Sequence, residues 1–189
     1  MNDTALKLLD EARQLIMRKG YNGFSYADLA ARLEIRKPSI HHHFPTKADL
    51  VVAVVEQSRA LIRAQTESLD SEAPKAVDQL KRYTGYWERC IADESAPFCL
   101  AGVLAAELPS LPDDVARAVR AHFAELAGWL TRVLALGVEQ GTIRLAQSPE
   151  AEAEVFLAGV YGAMLAARAF DDPQRFTLVV DAATARVLA

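Results

Sequence analysis

Proline placement constrains this chain more than any other feature. Its eight prolines are Pro38, Pro45, Pro74, Pro97, Pro109, Pro112, Pro149 and Pro173. Each stands at the edge of a segment whose apolar residues recur every three or four positions, and none stands inside one. Within a helix a proline loses a hydrogen bond and collides with the preceding turn, which costs about 3 kcal/mol, whereas the first turn accepts it. Ala and Leu abound between these breaks, and the Val/Ile/Thr alternation of a half-buried strand is nearly absent. The chain therefore reads as a series of helices.

The first helix is expected over about Thr4–Lys19, with Leu9, Ala12 and Ile16 on its apolar face and Gly20 as its stop. Ser25 and Asp28 form an Asp version of a capping box for a short helix over Tyr26–Leu33. A turn at Glu34–Arg36 leads to a third short helix with Pro38 in its first turn, ending near Phe44. Beyond Pro45 a long helix is expected over residues 47–69. Five more follow: one ending near Asp93, Cys99–Glu107, Pro112–Gln140, one opened by Ser148-Pro149, and one opened by Asp172-Pro173. The expected architecture is all-α, an N-terminal three-helix helix-turn-helix head and a six-helix C-terminal body.

Composition excludes several classes. About half of the residues are apolar and a quarter charged, the balance of a globular domain. No uninterrupted apolar run reaches the roughly 18 residues that a membrane crossing needs, so no membrane partner is expected. The opening residues are acidic and amphipathic, unlike an export signal, and two cysteines, Cys90 and Cys99, make no disulfide framework. A reducing cytoplasm is the expected location. No Ser/His/Asp set, paired carboxylates or phosphate loop is apparent, and Cys99 and His122 fall on different helices, so no enzymatic activity, catalytic residue or cofactor is expected.

The net charge of −4 is unevenly spread. Residues 1–50 carry 8 Lys/Arg against 6 Asp/Glu and three of the four histidines, while the remainder carries 13 against 19. The segment RKPSIHHHFPTK (36–47) concentrates this asymmetry. A metal site does not suit it: three adjacent histidines point about 100° apart on a helix, and no ligand stands at the i, i+4 positions. Two readings are left, an ordinary solvated surface and a face for a polyanion. Arg36 and Lys37 sit at a helix N-terminus, where the dipole repels a cation by about 0.3–1 kcal/mol. Phosphates bound there would offset that repulsion.

The segment GYNGFSYADLAARLEIRKPSIHHHFPTKADLV (20–51) resembles the DNA-binding head of the TetR family of bacterial transcriptional regulators. The resemblance rests on Gly20-Tyr21, Ser25, Ile40, His43-Phe44, Thr46-Lys47 and Leu50. It implies a helix-turn-helix DNA-binding domain over residues 1–46 and a ligand-binding and dimerisation domain over 47–189, with helix 47–69 as the connector. By the same resemblance Lys37, Pro38, Ser39 and His42 face base edges, and Ser25, Tyr26, His41, Thr46 and Lys47 hold phosphates, with Arg36 beside them. The pattern departs at three positions. Glu34 replaces a turn glycine, Arg36 replaces a capping serine, and His41 replaces a phosphate-binding tyrosine. An imidazole at 41 keeps a hydrogen bond to phosphate and makes it pH-sensitive.

A head this small reads few base pairs, so a homodimer on a palindromic double-stranded operator is expected, its heads about 34–36 Å apart. Gly159, Gly162, Ala163 and Ala166, with Leu178, Val179, Ala182 and Val187 on the last helix, are the expected seam; an internal core contact is the alternative. The resemblance places a small-molecule effector pocket in the body, with Tyr83, Trp87, Cys99, Phe123 and Phe156 as its candidate lining. Plain core packing is the alternative for each aromatic. The function implied is a repressor released by a small organic ligand. A thiol- or electrophile-sensing regulator acting through Cys99, and a ligand-dependent activator, are its variants.

Overall fold

The computed structural model describes residues 3–189. Among them are nine α-helices: α1 (Asp3–Lys19), α2 (Tyr26–Leu33), α3 (Lys37–His43), α4 (Lys47–Glu72), α5 (Ala76–Ala92), α6 (Leu100–Ala106), α7 (Asp113–Glu139), α8 (Pro149–Phe170) and α9 (Gln174–Val187). A single 3₁₀ turn, Leu108–Ser110, precedes α7. No strand is present among the described residues; one isolated bridge joins Ile143 to Leu188. The all-helical expectation is met, including a proline in the first turn of α3 and of α8.

The chain folds into two compact units. The first comprises the chain up to Leu61 and Leu100–His122. Its core is built from Leu8, Ala12 and Ile16 of α1, Leu29 of α2, Ile40 of α3 and Leu50, Val51, Val54 and Val55 of α4, all sealed from solvent. Leu104 of α6 and Val119 of α7 complete it. Burying each such side chain contributes about 1.5–3 kcal/mol, so α2 and α3, too short to persist alone, are held by Leu29 and Ile40.

Local chemistry sets the helix ends. Ser25 Oγ accepts the Ala27 N–H at 3.2 Å, and the Ser25 N–H donates to Asp28 at 2.7 Å. Thr46 and Asp49 repeat the device at α4: the Thr46 N–H donates to Asp49 at 2.9 Å and the Asp49 N–H donates to Thr46 Oγ1 at 3.1 Å. Glu34 ends α2 in the left-handed region at φ 53°. That conformation costs a residue with a Cβ about 1–2 kcal/mol, so the glycine missing there does leave a strained turn. Gly20 adopts φ +73° after α1, where a Cβ would meet the Glu107 carboxylate at 2.2 Å.

The second unit comprises Ile62–Cys99 and Phe123–Ala189. Gln140, after α7, accepts the Ala76 N–H at 2.9 Å and donates to the Pro74 carbonyl at 2.6 Å, anchoring the start of α5. Ser148 caps α8, and the Glu152 carboxylate accepts the Ala146 and Gln147 N–H groups at 3.2 Å. Asp171 turns the chain at φ 51°, and α9 packs back against α8. An 18-residue window of α8 has a mean hydropathy of 1.3, so by length and composition α8 could cross a membrane. That qualifies the expectation from the sequence: α8 has no unbroken apolar run but reaches spanning hydropathy on average. Here α8 is a packed helix, burying Phe156, Leu157, Val160, Ala163 and Met164.

Candidate nucleic-acid interface and effector site

The α3 surface is polar outward and sealed inward. Ile40 is fully buried and Phe44 nearly so, while Arg36, Lys37, Pro38, His41 and His42 are exposed and Ser39 is half-buried. Arg36 is the N-cap residue and makes no side-chain cap. Neither Arg36 nor Lys37 forms an ion pair among the described residues, although Arg32, one turn earlier, is paired with Glu11. The histidines diverge. His41 Nδ1 lies 3.0 Å from the Pro45 carbonyl, and His42 meets His43 edge to face, ring centres 5.3 Å apart.

A carbonyl oxygen only accepts, so His41 carries its proton on Nδ1 and presents Nε2 outward as an acceptor. Nε2 donates to a phosphate only when the ring is protonated. In the head without DNA, the one donor of the neutral His41 ring is engaged by Pro45.

Four other residues assigned to phosphate contact are also engaged within the head. The Tyr26 hydroxyl lies 2.9 Å from the Phe44 carbonyl and 2.5 Å from that of Thr46, and its ring packs edge to face on His41 at 4.9 Å. Burial first, then Asp49 and Tyr21, push its pKa up to about 12. Ser25 and Thr46 direct their hydroxyls to Asp28 and Asp49, each at 2.7 Å. The hydrogen bonds from Ser25 hold the Asp28 carboxyl below its usual range. Lys47 donates to the Phe24 carbonyl and lies over the rings of Phe24 and Tyr21, at 4.2 and 4.7 Å. Desolvation lowers its pKa, with Glu107 and Asp28 opposing. Tyr26 and Thr46 thus brace the α3–α4 turn, and Ser25 and Lys47 the entry to α2.

Glu107 is the residue that the sequence reading missed. Its carboxylate accepts the Tyr21 N–H at 2.6 Å, and Asn22 donates to Ser110 at 3.4 Å. The turn after α1 is thus held by the segment after α6. No local motif signals a contact spanning 86 residues; the sole trace was a glycine at position 20, where the backbone is left-handed and the Glu107 carboxylate lies close.

In the second unit, Tyr83 of α5 meets Trp129 of α7 edge to face at 5.3 Å, and Phe123 of α7 meets Tyr161 of α8 at 4.9 Å. Cys99 Sγ is 3.2 Å from the Tyr161 hydroxyl. Tyr83, Phe123 and Tyr161 keep accessible surface, whereas Trp87, Cys99 and Phe156 are buried. Burial raises the pKa of Tyr83 and Tyr161, and the neighbouring Cys99 adds to both. Tyr161 and Trp129 thus join the aromatic group although neither was among the candidates. Cys90 is a free, half-buried thiol.

The expected seam divides. Ala163 and Val187 are buried within the chain, and a Cβ on Gly159 would lie 3.8 Å from Ala183, so Gly159 faces α9 of the same chain. The outward stripe keeps Gly162, Leu178 and Ala182 of the expected seam and adds Val155, Ala158, Leu165 and Ala169 on α8 and Ala185 on α9. Leu165 and Leu178 are 60% and 66% exposed.

Comparison with known proteins agrees with this geometry. Residues 8–54 match the model for bacterial regulatory proteins of the tetR family, and residues 76–183 match the tetracyclin repressor-like C-terminal domain. A TetR-family transcriptional regulator from Agrobacterium tumefaciens is 46% identical with a TM-score of 0.96, covering 98% of this chain and 97% of its own. The transcriptional regulator AcuR of Cereibacter sphaeroides is 30% identical over 81% of this chain and 71% of its own. The reduced form of Escherichia coli NemR is 25% identical with a TM-score of 0.84, covering 98% and 97%. With family models over both its N-terminal and C-terminal parts, the chain belongs to the TetR family of bacterial regulatory proteins and is a DNA-binding transcriptional regulator.

Proposed function

We propose that the protein is a cytoplasmic, homodimeric repressor that binds a palindromic operator and is released by a small organic effector. The observation that carries this reading is the outer face of α3, where Arg36 and Lys37 stand unpaired beside exposed His41 and His42. Lys37, Pro38, Ser39 and His42 read base edges in the major groove. Arg36 and His41 face the phosphates. Tyr26 and Lys47 hold the turn that aims α3. Residues 1–46 act as the DNA-binding domain and 47–189 as the effector and dimerisation domain, with α4 as connector. The outward stripe of α8 and α9, small and apolar at three- and four-residue spacing, fits a second copy of itself, because small residues let helices approach closely.

The effector site lies among Tyr83, Trp87, Cys99, Phe123 and Phe156. Glu107, the residue after α6, holds the Tyr21 amide within the head's compact unit, and release follows when effector binding loosens that clamp. By linkage, effector and operator then weaken each other by the same factor.

A second reading, thiol or electrophile sensing through Cys99, is favoured by the 3.2 Å contact of its sulfur with Tyr161 and by likeness to a regulator known in a reduced form. Retained effector response in Cys99→Ser excludes it. Activation in place of repression depends on where the operator lies.

The test of the main reading is the salt dependence of duplex binding. Each phosphate contact contributes about 0.9 to the slope of log affinity against log salt. Arg36→Ala, acting in both heads of a dimer, is expected to reduce the slope by about 2. An unchanged slope contradicts the assignment.

A further inference from the structure

We propose that the effector is an uncharged, largely flat organic molecule with a hydrogen-bond acceptor such as a carbonyl, held by that acceptor on the Tyr83 hydroxyl and the Trp129 indole N–H. The proposal rests on the repressor reading and adds the chemical class of what the site accepts. Both donors are enclosed and neither finds an acceptor within the protein: the Tyr83 oxygen takes the Trp87 indole as donor, and its own O–H stays free, as does the Trp129 N–H. An unsatisfied buried donor costs about 1–3 kcal/mol and is rare in native structures. Here two occur on one edge-to-face ring pair, 5.3 Å between centres, within the span of a single small ligand.

The surroundings supply the remaining constraints. Tyr83, Phe123 and Tyr161, from three helices, are half-buried, and the Tyr83 hydroxyl is enclosed. Aromatic rings grouped about a buried donor suit a flat apolar body with one polar tip. Charge is directed elsewhere. Arg82, Glu88 and Arg132 on these helices are exposed, Glu125 pairs with Arg63 at 2.8 Å, and Arg168 lies over the Phe98 ring at 5.6 Å. After burial itself, Cys99 acts on both tyrosine hydroxyls and Tyr83 acts on Tyr161. A carboxylate or an ammonium entering here would lose its hydration without gaining a counter-ion.

Four ligands of similar shape separate the possibilities: acetophenone, ethylbenzene, benzoate and benzylamine, each titrated by thermal shift and ligand-observed NMR on the full protein without DNA. Acetophenone is expected to bind about 2- to 10-fold more tightly than ethylbenzene, the range of one neutral hydrogen bond, and the two ions more weakly than either. Tyr83→Phe is expected to abolish the preference for acetophenone over ethylbenzene while leaving the melting temperature of the free protein unchanged or higher, because it removes an orphaned hydroxyl. Preference for benzoate or benzylamine, no binding by any of the four, or a Tyr83→Phe protein that keeps the acetophenone preference would overturn the proposal. Acetophenone binding without release of the operator leaves the ligand class standing and refutes release by effector.

Discussion

His41 shows how one substitution changes the terms on which a head grips DNA. With Nδ1–H on the Pro45 carbonyl, the neutral ring has no second donor to offer a phosphate. Glu34 carries a second local cost, its left-handed backbone. Glu34→Gly is expected to stabilise the protein by up to about 1 kcal/mol in chemical denaturation; a loss of stability would mean that the Glu34 side chain contributes more than its strain removes. Both positions were legible as departures from a pattern. The inward commitment of Tyr26, Lys47, Ser25 and Thr46 was not, because a residue's identity does not say whether its polar atom faces a carbonyl within the fold or a phosphate outside it.

Among the elements, helix existence was the most legible property, since Gly20, Ser25, Pro38, Ser148 and Pro149 act through local geometry and local hydrogen bonds. Contacts between distant elements were illegible for the opposite reason. Glu107 reaches Tyr21 across 86 residues, and small residues on α8 look alike whether they face α9 of the same chain or the outside. Only three-dimensional packing separates Gly159 and Ala163 from Gly162 and Leu165. The clamp on the turn after α1 has its own consequence. Glu107→Ala leaves the α3 surface intact and removes a charged acceptor, a hydrogen bond of about 1.5–3 kcal/mol. Effector binding should be retained, while the factor by which effector weakens operator binding shrinks towards one. A variant that keeps the full factor would mean that the signal travels another way.

For the whole molecule, the claim is that two heads act on one duplex. The outward stripe on α8 and α9 is apolar without being covered, and Leu165 lies near its middle. Leu165→Lys is expected to convert a dimer into a monomer in sedimentation velocity and to weaken operator binding by at least tenfold, with the helical content unchanged. A dimer that persists in Leu165→Lys would place the seam elsewhere. The most direct test of the entire account is selection of bound duplexes from a random pool with the purified full-length protein. The account predicts an inverted repeat whose half-site centres are about one helical turn, 10–10.5 base pairs, or a whole multiple of it apart. Enrichment of a single unpaired half-site, or of no sequence at all, would contradict it.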